Sequence, residues 1–164
     1  AGNLERCDQP IAADTLYAQA VALLESGPPE PAGRRTVAGI TAARADNLAA
    51  IGQYADAEPH YARAQALFDA ERNAALVRAE RARIRANRAT ALSLSGSHAM
   101  AEALFAQAQQ LFDDSPDDPD ALAQRAAVRR NRAANLDALD SRAQARALRD
   151  EADALFGPTV GPGI

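Results

Sequence analysis

The stretch Gly52-Gln-Tyr-Ala-Asp-Ala-Glu-Pro-His-Tyr-Ala-Arg-Ala-Gln-Ala-Leu-Phe68 carries the architecture of this chain, because its pattern occurs four times. Gly96-Ser-His-Ala-Met-Ala-Glu-Ala-Leu-Phe-Ala-Gln-Ala-Gln-Gln-Leu-Phe112 is the next copy. Others run from Asp8 to Leu24 and from Asp140 to Phe156, so the step is 44 residues throughout, without gaps. Alanine recurs at Ala13, Ala57, Ala101 and Ala145, and again at Ala20, Ala64, Ala108 and Ala152. Tyr17, Tyr61 and Phe105 stand between them, with Arg149 as the exception, and leucine closes each copy at Leu23, Leu67, Leu111 and Leu155. A fixed period of this length marks an architecture of stacked supersecondary units, none of which buries its apolar face alone.

Within a copy, Ala57, Tyr61, Ala64 and Phe68 fall on one face of an α-helix. A second apolar face precedes each of the last three copies: Ile40, Leu48 and Ile51, then Ile84 and Leu92, then Val128, Leu136 and Leu139. Gly52 and Gly96 lie between the two helices, where a left-handed glycine ends the first of them. Each unit is therefore a helical hairpin, helix A followed by helix B. Gly27-Pro-Pro-Glu-Pro-Ala-Gly33 and Asp113-Asp-Ser-Pro-Asp-Asp-Pro119 separate hairpins as helix breakers. The matching stretch Asp69–Ala75 has neither proline nor glycine, which predicts a short kink or one long helix there. The resulting expectation is a solenoid over 1–156, with full repeats at about 32–68, 75–112 and 119–156 and a flexible tail at 157–164. Ala1 to Cys7 align with Ala45–Ile51, so residues 1–24 read as a partial hairpin that starts in the second half of a helix A, as in a fragment of a longer protein.

The small residues Ala45, Ala89 and Ala133 in helix A, the turn glycine and the triplet Ala57, Tyr61 and Ala64 in helix B resemble the tetratricopeptide repeat. The run Tyr54-Ala-Asp-Ala-Glu-Pro-His-Tyr-Ala-Arg-Ala is similar to the longer variant of kinesin light chains and bacterial CHAT-associated arrays. Two features depart from it: the period is 44 rather than 34, and arginine holds the large apolar position midway along helix A. HEAT and armadillo repeats of similar length are the alternative fold. The resemblance implies an all-α, right-handed superhelical solenoid whose concave face binds proteins, within a bacterial multidomain parent carrying a caspase-like CHAT domain downstream. That domain is not in this sequence, and its protease activity is not carried over.

Composition agrees with many thin helix contacts. The chain is 48% hydrophobic, but roughly a quarter of it is alanine; aromatics are 4% and tryptophan is absent. Alanine is the best helix former and lets backbones approach closely. All 18 basic residues are arginines, against 22 acids, for a net charge of −4. That balance opposes nucleic-acid binding, and the absence of lysine removes Schiff-base and P-loop chemistry. Cys7, the single cysteine, has no internal disulfide partner; this mildly favours the cytoplasm without excluding a periplasmic chain after signal removal. No segment approaches the roughly 18 apolar residues of a membrane span.

Arg44, Arg88 and Arg132 share one repeat position, Arg85 and Arg129 a second, Arg81 and Arg125 a third. Arg78, Arg81, Arg85 and Arg88 form a stripe along one helix. Such guanidinium forks can read an anion. Alternatively they lie over a thin core and pair with Asp14, Glu58 and Glu102, a reading that their repetition in every hairpin favours. By resemblance, Asn87, Asn131, Arg83 and Arg130 map to the concave groove, where asparagine brackets a bound peptide's backbone. Asp46, Thr90 and Ala134 hold the asparagine position of the carboxylate clamp, so that set is incomplete. Asn47 and Asn135 fit hairpin packing.

His60 and His98 lack neighbours at metal-ligand spacing and read as exposed or packing residues, and neither forms an evident dyad with Cys7. The acidic run Asp113, Asp114, Asp117, Asp118 and Asp120 lacks EF-hand spacing and reads as helix capping. The sequence thus points to a non-catalytic interaction module with no cofactor or metal. It expects a protein or peptide partner, with self-association as a homodimer through exposed terminal helices. A ligand-sensing solenoid is the alternative.

Overall fold

A computed structural model of the chain describes residues 4–27, 31–114 and 119–156. Among the described residues there are seven α-helices and no strand: α1 (Leu4–Glu25), α2 (Pro31–Ala50), α3 (Tyr54–Asp69), α4 (Arg78–Leu94), α5 (His98–Asp113), α6 (Pro119–Ala138) and α7 (Arg142–Ala154). Each helix packs on the next, giving an all-α stack of hairpins α2–α3, α4–α5 and α6–α7, preceded by α1. The A helices also touch in succession, α2 on α4 and α4 on α6, whereas the B helices α3, α5 and α7 do not touch one another. The A layer is therefore the tighter side of the stack. The expected tail at 157–164 lies outside the described residues, as do Asp117 and Asp118.

The three hairpin turns are the same object. Gly52 and Gly96 adopt φ of +79° and +86°, and Asp140 takes the equivalent place at +57°. In each, the next residue's amide returns to a leucine carbonyl: Gln53 N to Leu48 O at 3.0 Å, Ser97 N to Leu92 O at 2.8 Å and Ser141 N to Leu136 O at 2.8 Å. These left-handed caps satisfy carbonyls that the ending helix leaves open. Proline opens α2 and α6, at a position whose missing amide costs nothing.

Alanines occupy the helix crossings. Ala45, Ala89 and Ala133 in the A helices, with Ala57, Ala101, Ala145, Ala64, Ala108 and Ala152 in the B helices, have no exposed surface. Larger side chains fill the gaps between hairpins. Phe68 packs with Val77 and Ile84 of the following segment, and Phe112 with Val128. Phe156, the matching residue of the last described hairpin, is 53% exposed.

Three expectations are corrected. First, α1 runs without a break through the turn expected at Asp8. Continuing a helix adds one backbone hydrogen bond per residue. Second, residues 70–77 form a turn rather than a kink or a continuous helix. The Arg81 guanidinium takes the carbonyls of Phe68, Asp69 and Glu71 at 3.0–3.1 Å, capping α3, while Asn73 Oδ1 accepts from Leu76 N. Side chains here do the work that proline and glycine do elsewhere. Third, Ile51 and Leu139, read as core, are exposed, because the chain reverses within one residue of each; Leu48 and Leu136, a turn earlier, are buried.

Candidate interaction face

The arginine ladder spends its donors inside the protein. Arg44 binds Asp14 through Nε and Nη2 at 2.6 and 2.9 Å. Arg88 binds Glu58 at 2.5–3.1 Å, and Arg132 binds Glu102 at 2.7 Å. Arg88 and Arg132 each give Nη1 to a glutamine as well, Gln65 at 2.9 Å and Gln109 at 2.8 Å. Each bridge ties helix A to the helix B of the preceding unit. The Arg44 guanidinium holds the Asp14 carboxyl below the usual carboxylate range, and Asp14 in turn raises Arg44. The stripe on α4 is similarly engaged. Arg78 donates to the Asp114 carbonyl, Arg81 caps α3, and Arg85 grips Asp69 at 2.7 and 2.9 Å and Gln107 at 3.1 Å. Arg129 and Arg125 do the same for Asp113, which accounts for the first residue of the acidic run.

Of the four predicted groove residues, the structure brings three onto the A layer. Asn87 Nδ2 donates to Asp46 Oδ1 at 2.9 Å, and Arg83 Nη1 to Asp46 Oδ2 at 3.1 Å, both from α4 to α2. Asn131 Nδ2 reaches Thr90 Oγ1 at 3.4 Å, from α6 to α4. Arg130 does not join them: it turns to α7, pairing with Asp153 at 2.8 Å with its guanidinium carbon 5.8 Å from the Phe156 ring centre. Asp46, which the sequence marked only as a departure from the carboxylate clamp, is the hub of this arrangement. It also accepts from Tyr61 Oη at 2.7 Å, and burial with that bond raises the Tyr61 phenol well above its ordinary range. The result is a polar strip across α2, α4 and α6, its members partly exposed and its spacing set by the tight A layer.

The remaining polar residues serve packing. Asn135 is fully buried and binds the His98 carbonyl through Nδ2 and His98 Nδ1 through Oδ1, both at 3.0 Å, docking α6 on the start of α5. His60 is partly buried, and burial together with the Arg44 charge lowers its imidazole. Among the described residues no group of three or more His, Cys, Asp or Glu side chains is placed to hold a metal ion. No described helix is long and apolar enough to cross a membrane.

No protein-family model matches the chain, and no curated protein matches it.

Proposed function

We propose that the chain is a non-catalytic interaction module of the tetratricopeptide type, a right-handed superhelical array that binds an extended peptide or a partner's segment along its A layer. The observation that carries this reading is the strip from Asp46 through Arg83, Asn87 and Thr90 to Asn131. It joins three successive A helices on the tighter side of the stack, where stacked hairpins present a concave surface. Its amides and hydroxyl are partly exposed and weakly bonded at the Asn131 end, so a peptide backbone can exchange with them at little cost.

A peptide-display selection against the chain tests it, with enriched peptides titrated into the wild type and an Arg83→Ala/Asn87→Ala/Asn131→Ala variant of unchanged helicity. A loss of tenfold or more in the variant is the expected result. Equal affinity for both proteins removes the A layer from consideration.

A second reading, self-association, rests on α1. Leu16 and Leu23 are 64% and 76% exposed there, while Leu104 and Leu148, at the same repeat position as Leu16, are buried. Concentration-dependent mass by light scattering, abolished by Leu16→Gln/Leu23→Gln, is its signature; a constant monomer mass rejects it.

A further inference from the structure

Successive B helices are bridged by the same polar chemistry at each step of the stack, except at the first. At the second and third steps Arg85 and Arg129 rise from the A helix between two B helices, reaching Asp69 and Gln107 in one case and Asp113 and Glu151 in the other. At the first step that register position is Thr41. The acid matching Asp69 and Asp113 is Glu25, and it is taken instead by Arg63 of α3, which stands where the other steps have Gln107 and Glu151. Two more exchanges accompany this one: Val21 replaces the glutamines Gln65 and Gln109, and His60 replaces the buried Leu104 and Leu148.

A cleft of about 200 Å³ lies between α1, α2 and α3 where these exchanges fall. A cleft of about 240 Å³ lined by Arg132, Leu148 and Glu151 marks the matching place in the third step without them, so the exchanges set the chemistry of the first cleft rather than its existence. Thr41, Arg44, His60 and Arg63 line it with Glu25, over a floor that includes Val21. Two of its polar groups lack what their counterparts have. Thr41 is 1% exposed and its Oγ1 has no hydrogen-bond partner. Arg44 uses Nε and Nη2 on Asp14, and with valine in place of glutamine its Nη1 has no acceptor among the described residues. A buried hydroxyl without a partner costs free energy that a native structure ordinarily avoids.

We propose that this cleft binds a small free oxyanion of the phosphate type. The lining offers donors in Arg44 Nη1, the N–H groups of Arg63 and one ring N–H of His60, with the buried Thr41 hydroxyl in the wall behind them. Among the described lining residues the one carboxylate, Glu25, is paired with Arg63, and Asp14 beside them is held by Arg44 Nε and Nη2, so neither acid is left to attract a cation. That imbalance selects an acceptor-rich ligand over a cation. The volume lies below the roughly 300–1,000 Å³ of organic-ligand pockets yet well above the roughly 30 Å³ share of one water. Its lining shares no residue with the Asp46 strip, so it stands or falls independently of peptide binding.

Sodium phosphate titrated into the intact chain at pH 7.5, against sodium chloride of equal ionic strength, tests this by thermal unfolding and by saturable broadening of the phosphorus NMR line. Phosphate raises the midpoint beyond the chloride effect and saturates. Thr41→Val weakens binding about tenfold, the expected cost of one hydrogen bond to a charged group. Thr41→Arg/Arg63→Gln, which rewrites the cleft as the second step of the stack has it, abolishes the phosphate effect while circular dichroism remains that of the wild type. If that pair fails to fold, Thr41→Val and the direct titration decide alone. Phosphate and chloride acting alike, or phosphate acting equally on wild type and Thr41→Val, means that the cleft holds water only and overturns the proposal.

Discussion

Arg44 and Asp14 stand 30 residues apart and meet through paired bonds of 2.6 and 2.9 Å, and the same separation joins Arg88 to Glu58 and Arg132 to Glu102. An arginine midway along helix A replaces the large apolar residue that a thicker core would use. Its fork reaches the carboxylate of the preceding B helix.

The ladder is accordingly worth more than scattered surface ion pairs. A double-mutant cycle on Arg88→Ala and Glu58→Ala, read by urea unfolding, yields a coupling of about 1–2 kcal/mol, above the usual value for exposed pairs because the fork is half-buried and bidentate. Coupling below about 0.3 kcal/mol would reduce the ladder to solvated charge.

The hairpin turns make opposite predictions at matched positions. Asp140 carries φ +57°, which costs an L-residue about 1 kcal/mol, so Asp140→Gly stabilises the protein by about that amount. At Gly96, with φ +86°, alanine meets no neighbouring atom but inherits the same strain, so Gly96→Ala destabilises by about 1–2 kcal/mol. Equal midpoints for both variants and the wild type would refute the account.

Stability responds to pH at both ends. The Tyr61 phenol is raised in the folded state, so its contribution is intact below the ordinary tyrosine value of about 10 and is lost as pH rises above it. Tyr61→Phe flattens that alkaline decline in unfolding experiments. Asp14 is depressed, so its contribution is present above about pH 4 and disappears as pH falls through its folded value. Asp14→Asn flattens the acid limb. Unchanged slopes in either variant would assign the decline to other groups.

The alanine crossings tolerate no growth. Ala89 and Ala101 have no exposed surface within the cluster that joins α4, α5 and α6, and Ala89→Leu or Ala101→Leu forces the helices apart, at about 1–3 kcal/mol each. Leucine at exposed Ala103 serves as the control and leaves the unfolding midpoint within about 0.5 kcal/mol of the wild type.

Much of this molecule is readable along the chain because it repeats. A period of 44 aligns Ala57 with Ala101 and Arg88 with Arg132, so a constant offset of 30 names the partner carboxylates before any coordinates are known. The left-handed turns at Gly52 and Gly96 are equally local, since a positive φ selects glycine from the backbone's own sterics. The turn over 70–77 was not readable, because the groups that cap α3 come from Arg81, in the next helix. Nor was the uninterrupted course of α1, which carries helical hydrogen bonding past Asp8, the register position of Gly52 and Gly96.

Periodicity specifies what each step of the stack shares, and tertiary structure decides what its exceptions amount to. Thr41, Val21, His60 and Arg63 are four unrelated departures when met one at a time, spread over three helices. Only the packing of α1, α2 and α3 converges them on one cleft. Asp46 likewise becomes a hub because α4 lies close enough to α2 for Arg83 and Asn87 to reach it alongside Tyr61. Helix propensity and turn chemistry act over a few residues, whereas a side-chain constellation exists only at the separation that packed helices impose.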